Sequence, residues 1–374
     1  MTGRGIDQVL AHPGNPLLHE PFVNDARQYV ELAEQANGPI SKPISHFYVW
    51  GDALDEWARL KPDVRIVNLE TSITTSNDYW REKDVHYRMH PQNVGCLTTA
   101  GIDCCSLANN HILDWGYRGL AETLETLRTS GVKSAGAGAD LQEAEVPAVL
   151  EVPGKGRLIL FSFGSETSGI PRSWAARSDR AGVNLLDDLS AADVQRIHLA
   201  ARSVKRDNDV VVASIHWGPN WGYHIPRGQR HFAHALIDGA GVDLIYGHSS
   251  HHVKGIEVYH GRLILYGCGD FLDDYEGIAG CEAFRDDLGL IYFATMDTST
   301  GKLVQLQMTP TQIHRLSVRR AVAADILWLR DILNREGETL GTRVELAADN
   351  TLLLRWDEAH SPSGVPSASH TTFG

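Results

Sequence analysis

The chain has 374 residues, with 34 Lys and Arg against 47 Asp and Glu, giving a formal net charge of −13. That balance argues against a nucleic-acid groove or an anionic membrane as the main partner. No apolar run reaches the roughly 18 residues of a membrane span, and the first residues lack the order of a secretory signal; as written, the chain reads as cytoplasmic.

Residues 1 to 62 are rich in loop signals such as His12-Pro13-Gly14-Asn15-Pro16, with one helical stretch from Asp25 to Ala36. Strand and helix then alternate. Val64 to Leu69 reads as a strand, Asn93 to Thr99 as a short helix, Asp103 to Leu107 as a strand and Tyr117 to Ser130 as an amphipathic helix. Strands follow at Ala148 to Val152, Arg157 to Phe163, Asp209 to Ile215 and Asp243 to Tyr246, with helices at Ala191 to Lys205 and Arg227 to Ala240. This alternation predicts an α/β domain. Ile256 to Tyr259 and Arg262 to Tyr266, joined by His260-Gly261, have the spacing of a hairpin, and Leu288 to Thr295 pairs with Leu303 to Met308. The expected division is a main domain over residues 1–320, a helix-plus-hairpin appendage over 321–358 and a disordered tail over 359–374, which is polar and without periodicity. Five cysteines, Cys96, Cys104, Cys105, Cys268 and Cys281, form neither an even disulfide set nor a CxxC knuckle and read mostly as buried thiols.

Gly247-His248-Ser249-Ser250-His251-His252 follows the apolar Val242 to Tyr246 run, and neutral imidazole is the commonest protein metal ligand. Three other segments also set polar groups directly after apolar strands: Asn68-Leu69-Glu70, Asn109-Asn110-His111 with Asp114, and His216-Trp217-Gly218. Each alone has a plain structural reading. Glu70 would cap a turn, Asn110 would serve a left-handed turn residue, and His216 would be a core histidine. Together they bring a carboxylate, an amide oxygen and imidazoles to one sheet edge, a mixture suited to one or two divalent ions such as Mn, Zn, Fe or Ca.

In order and spacing these four segments resemble the CapA-type family named for poly-γ-glutamate capsule synthesis, a branch of the calcineurin-like metallophosphatases. The resemblance spans about residues 1–315. It implies a four-layer α/β/β/α sandwich with the metal centre at the strand ends. By position, Glu70 resembles the bridging carboxylate, Asn110 the amide ligand, and His216, His248 and His251 the imidazole ligands. His111 resembles the catalytic imidazole, with Asp114 placed to orient it. His252 has no counterpart and reads as a support behind a ligand or as solvated. The family opens with a Gly-Asp pair just before a stretch like Met1 to Gly5, and that Asp is a ligand. This chain starts about two residues too late, so Met1 is expected to be an internal methionine of a longer protein, and an upstream signal or anchor stays open.

Other residues have two readings. Arg88 and His90 would face an anionic substrate, or Arg88 would sit in a structural ion pair. Asp270 is the best carboxylate to hold an imidazole ligand by its other nitrogen. Trp217 and Trp221, beside Tyr223, would wall a pocket or serve as aromatic core. Three functions remain open. One is a metal-dependent hydrolase acting on an anionic small molecule, a peptide or a polyglutamate-like substrate. The second is a metal-dependent acid/base epimerase acting on a peptide. The third is a non-catalytic polymer-binding or capsule-assembly component.

Overall fold

Val210 to Ile215 is an almost unbroken apolar run, as a strand covered on both faces requires, and in the computed structural model, which describes residues 1–357 and 370–373, the whole Val210–His216 strand is buried. It lies inside a six-stranded sheet ordered Ile256–Tyr259, Arg262–Leu265, Leu244–His248, Val210–His216, Gly156–Gly164, Ala148–Val152. The inner four strands are parallel and the two edges antiparallel. On one face Phe161, Val211, Ala213, Ile215 and Ile245 pack against Ile197 and Ala201 of the Ala191–Val204 helix and Phe232 and Leu236 of the Arg227–Ala240 helix. A capping box of Ser190 and Asp193 starts the first helix, and Gly241 at φ 71° ends the second.

The other face meets a second layer. Its antiparallel strands are ordered Thr342–Leu346, Leu352–Trp356, Lys302–Ile313, Leu288–Asp297, His370–Phe373. A parallel set of three, Ile66–Asn68, Cys104–Ser106 and Lys133–Ala135, faces the same interior. Between the layers, Leu158, Val212 and Leu263 meet Cys104, Leu290, Leu306 and Met308. Side chains alternate along a strand, so Cys105, Leu107, Ile291 and Phe293 face the opposite way, into a cluster with Trp50, Ala53 and Trp57. Cys96, Cys104 and Cys105 are buried free thiols, while Cys268 and Cys281 are half-buried.

The predicted strands and helices after residue 62 all form, with ends shifted by a few residues. The predicted hairpin forms with Tyr259 opposite Arg262, and His260 and Gly261 both have positive φ, as a two-residue turn of this hand needs. The Asp52–Leu60 helix, within the stretch read as loop-rich, is a difference; Gly51 precedes it and no side chain caps it, so no sequence signal marks its start. The stretch expected as a helix-plus-hairpin appendage is described from residue 321 to 357 and packs on what precedes it. Ile326, Leu329 and Leu333 of the Ala323–Gly337 helix join the core between the layers, and Leu352–Trp356 pairs with Lys302–Ile313. Of the expected disordered tail, residues 359–369 and 374 lie outside the described residues, and His370–Phe373 is a strand paired with Leu288–Asp297. No helix among the described residues is long and apolar enough to cross a membrane.

Candidate metal centre

Parallel pairing of Val210–His216 with Leu244–His248 sets His216 opposite His248, so two strand ends deliver adjacent imidazoles. Their Nδ1 atoms are 2.7 Å apart, and His248 Nε2 is 2.7 Å from Ser214 Oγ. The far side of the His216 ring faces outward from this pair. Its Nε2 lies 3.1 Å from Asn110 Oδ1 and 3.9 Å from Glu70 Oε1. Glu70 is steadied by Asn68, whose Nδ2 donates to Oε2 at 2.8 Å, and Asn109 ties the two loops by donating to Asn68 Oδ1 and Leu69 O. Ser249, at φ 116°, holds a conformation costly for a side-chain-bearing residue, with its hydroxyl donating to Gly218 O at 2.9 Å.

His111 approaches the same carboxylate oxygen, its Nε2 4.0 Å from Glu70 Oε1 and its Nδ1 2.7 Å from Asp114 Oδ2. Asp114 also accepts from Tyr87 N at 2.7 Å and from Lys83 Nζ at 2.5 Å. Lys83 further donates to the carbonyl of Asn110 and lies 3.2 Å from His111 Nδ1. Sequence reading missed Lys83, because nothing in the spacing of Arg81-Glu82-Lys83-Asp84 shows that this loop folds back onto the Asn110 turn. On the opposite flank His251 Nδ1 lies 2.8 Å from Asp270 Oδ2, the partner the sequence suggested.

Burial dominates the electrostatics. It pushes the Glu70 carboxyl up to about 7, with Asp270 adding to the rise and His251 opposing it. Burial lowers His248 to about 3 and takes His216 and His111 well below the usual histidine value, helped by His248 and Lys83 respectively. Burial also works against a charged His251, but the Asp270 carboxylate outweighs it and raises the ring to about 9.

These donors suit a divalent ion. Bonds of about 2.0–2.2 Å set the donor atoms of one ion roughly 3–4 Å apart, the separation at which Asn110 Oδ1 and Glu70 Oε1 each stand from His216 Nε2. A buried carboxylate whose pKa burial raises, beside the imidazoles of His216 and His111 that burial keeps neutral, also matches what a cation needs. Among the described residues no three His, Cys, Asp or Glu side chains alone are drawn close enough to hold an ion; the tight set depends on the Asn110 amide. His248, matched by position to an imidazole ligand, turns Nδ1 to His216 and Nε2 to Ser214 instead of facing Glu70.

Several residues expected at the substrate are engaged elsewhere. Arg88 donates to Ser76 O at 2.6 Å and Asn15 O at 2.6 Å, with its guanidinium 3.7 Å from the centre of the Trp115 ring. His90 accepts from Gln92 N at 3.2 Å and starts a short turn of helix. Trp217 is buried beneath the helices, its indole donating to Tyr266 O at 3.1 Å. His252 is nearly sealed, with Nε2 accepting from Gly222 N and Nδ1 against Val253 O. Trp221 alone of this group comes near the centre, its ring 5.3 Å from that of His251.

Residues 1–275 match the family described as bacterial capsule synthesis protein PGA_cap. The sequence is 47% identical over 353 residues to a probable polyglutamine synthesis accessory protein of Mycobacterium tuberculosis, covering 94% of this chain and 93% of that one. It is 28% identical over 248 residues to the PGA biosynthesis protein CapA of Bacillus subtilis, covering 66% of this chain and 60% of the relative. With the capsule biosynthesis protein CapA of Bacillus anthracis it shares 25% identity over 194 residues, covering 52% and 45%. Extent of match and the close mycobacterial relative agree: the chain belongs to the bacterial capsule synthesis protein PGA_cap family.

Proposed function

We propose that the protein is a metal-dependent hydrolase of the metallophosphatase kind, built as a four-layer α/β/β/α sandwich and acting on an anionic substrate related to polyglutamate. One observation carries this reading: Asn110 Oδ1 and Glu70 Oε1 lie 3.1 and 3.9 Å from His216 Nε2, and His111, backed by Asp114, approaches the same carboxylate oxygen at 4.0 Å. Glu70, Asn110 and His216 would hold one divalent ion, and His251 reaches the same carboxylate from the Asp270 side, where a second would sit. When bound, such an ion polarises the scissile group and offsets negative charge. His111 has Nδ1 committed to Asp114, so Nε2 exchanges the proton with the reacting group. Lys83 and Tyr87 N fix Asp114, which holds the ring in place. The names of the relatives, which speak of polyglutamine synthesis, PGA biosynthesis and capsule, support a substrate drawn from polymer synthesis.

The test is to load the purified protein with Mn or Zn, measure bound metal, and assay p-nitrophenyl phosphate and γ-linked glutamate oligomers. Stoichiometric metal with hydrolysis of either is expected. Protein that binds no metal under saturating conditions would overturn the reading.

A second reading is favoured by a specific feature: two imidazole–carboxylate pairs, His111–Asp114 at 2.7 Å and His251–Asp270 at 2.8 Å, flank Glu70. A peptide epimerase needs one such pair on each face of an acidic carbon. Deuterium uptake from D2O into an otherwise unchanged peptide would select this reaction over hydrolysis.

A further inference from the structure

Two tyrosines join the two imidazole–carboxylate pairs. The ring of Tyr87 stands edge-on to that of His111 with centres 4.4 Å apart, and the ring of Tyr275 stands edge-on to that of His251 with centres 5.1 Å apart. Their hydroxyls meet, Tyr87 OH donating to Tyr275 OH at 2.8 Å. The tyrosine pair therefore links His111, 4.0 Å from Glu70, to His251, whose charge acts on the same carboxylate.

Tyr87 is the anchored end. It is fully buried, its N–H donates to Asp114 Oδ2 at 2.7 Å, and its carbonyl accepts from Trp115 Nε1 at 3.1 Å. The Arg4 guanidinium, held by Asp274 at 2.6 Å and Glu20 at 3.2 Å, stands 4.3 Å from the centre of its ring. A cation over a phenol draws on the ring electrons and makes the O–H a stronger donor, and hydrogen bonds in a chain polarise one another. Tyr275 is the other end. It is half-buried, where Tyr87, His111 and His251 are buried. A phenolic hydroxyl has one proton to give. Tyr87 spends its own on Tyr275, and among the described residues no hydrogen bond takes the proton of Tyr275. The neighbouring Asp270 carboxylate is already engaged by His251 at 2.8 Å. A strengthened donor left without an acceptor suits a ligand that brings its own oxygen.

We propose that Tyr275 donates its hydroxyl hydrogen to an anionic oxygen of the substrate, phosphoryl or carboxylate, and that Tyr87 is the positioning residue that fixes and strengthens this donor. A neutral hydroxyl holds a charged oxygen well without adding a cation that would repel a bound metal ion. The inference rests on the centre proposed above for the place where the substrate lies.

The test is calorimetric titration of the Mn-loaded protein with inorganic phosphate and with γ-linked diglutamate, alongside measurement of bound metal. Tyr275→Phe keeps the ring against His251 and should hold as much metal as the parent, yet bind one of the two anions about tenfold or more weakly, as loss of a hydrogen bond to a charged oxygen does. The anion that loses affinity tells a phosphoryl from a carboxylate ligand. Tyr87→Phe should weaken the same anion by a smaller factor, and the double variant should bind it no more weakly than Tyr275→Phe alone, because Tyr87 acts through Tyr275. Unchanged affinity for both anions in Tyr275→Phe, or losses that multiply in the double variant, would overturn the inference. A parent that takes up no metal would overturn the hydrolase reading instead; the same titrations on metal-free protein then decide this one, and failure to bind either anion, or binding indifferent to Tyr275→Phe, would overturn it too. If Tyr275→Phe does not fold, 3-fluorotyrosine placed at position 275 of the parent keeps the hydroxyl, and a 19F resonance unmoved by saturating anion counts equally against it.

Discussion

Two imidazole nitrogens 2.7 Å apart cannot both present lone pairs, so one of the facing Nδ1 atoms of His216 and His248 carries a proton. If His216 Nε2 is kept free for a ligand bond beside Asn110 and Glu70, the proton sits on His216 Nδ1 and is donated to His248, whose Nε2–H is then donated to Ser214. His248 thereby orients a ligand from behind. We expect His248→Ala to weaken Mn or Zn binding by roughly 10–100-fold, the usual effect of losing such a support, and His216→Ala to abolish stoichiometric binding in the same calorimetric titration. Equal losses would make His248 a direct ligand. His111→Ala should leave metal content nearly unchanged and lower turnover by about 10² or more, as loss of an acid/base group does; stripping of the metal would place His111 in the donor set. Lys83 has a more structural task. The Asp114 side chain is fully buried and that of Lys83 12% exposed, so Lys83→Met leaves a buried carboxylate without its cation and should cost about 3 kcal/mol in urea denaturation. Lys83→Arg should recover part of that loss.

Among the secondary-structure elements, the Arg227–Ala240 helix is fastened to the sheet through one carboxylate. Glu257 accepts from Arg230 Nη2 at 2.7 Å and Tyr266 OH at 2.7 Å, and lies 3.1 Å from His234 Nε2. Burial pushes its pKa up, but the His234, Arg230 and Tyr266 hydrogen bonds prevail and leave it below the ordinary value of 4.5. The unfolded chain therefore takes up this proton first as the solution is acidified. The stabilisation is complete above about pH 4.5 and is lost as pH falls through the lower folded value. Urea midpoints should drop over that window in the parent protein, while Glu257→Gln should be less stable at neutral pH and show a smaller drop; parallel curves would rule out Glu257 as the source. Periodicity revealed most of these elements because Val, Ile and Leu runs bounded by Gly and charged residues leave few alternatives. It missed Lys133–Ala135, whose three residues are too few for a pattern. The strand-end donors were readable for the same reason, since a polar group that ends an apolar run must emerge at the sheet edge. What those side chains then touch was not. Arg88 and His90 sit in a plausible loop but bond to backbone atoms and a neighbouring ring, and Trp217 lies one residue from His216 yet points the opposite way, as alternation along an extended chain requires.

For the molecule as a whole, the α/β class followed from the order of elements, whereas the change in pattern near residue 320 says nothing about which apolar faces meet. The helix at Ala323–Gly337 and the strands after it complete a core begun more than a hundred residues earlier. The family match stops at residue 275, while Leu290, Leu306 and Met308 beyond it cover Val212, Leu244 and Leu263 before it. A boundary of shared ancestry is therefore not a boundary of solubility. A protein trimmed to the matched residues would present one side of its parallel sheet to water as an apolar plane wide enough to self-associate, and we expect it in the insoluble fraction, where the same residues followed by 276–357 would stay dispersed.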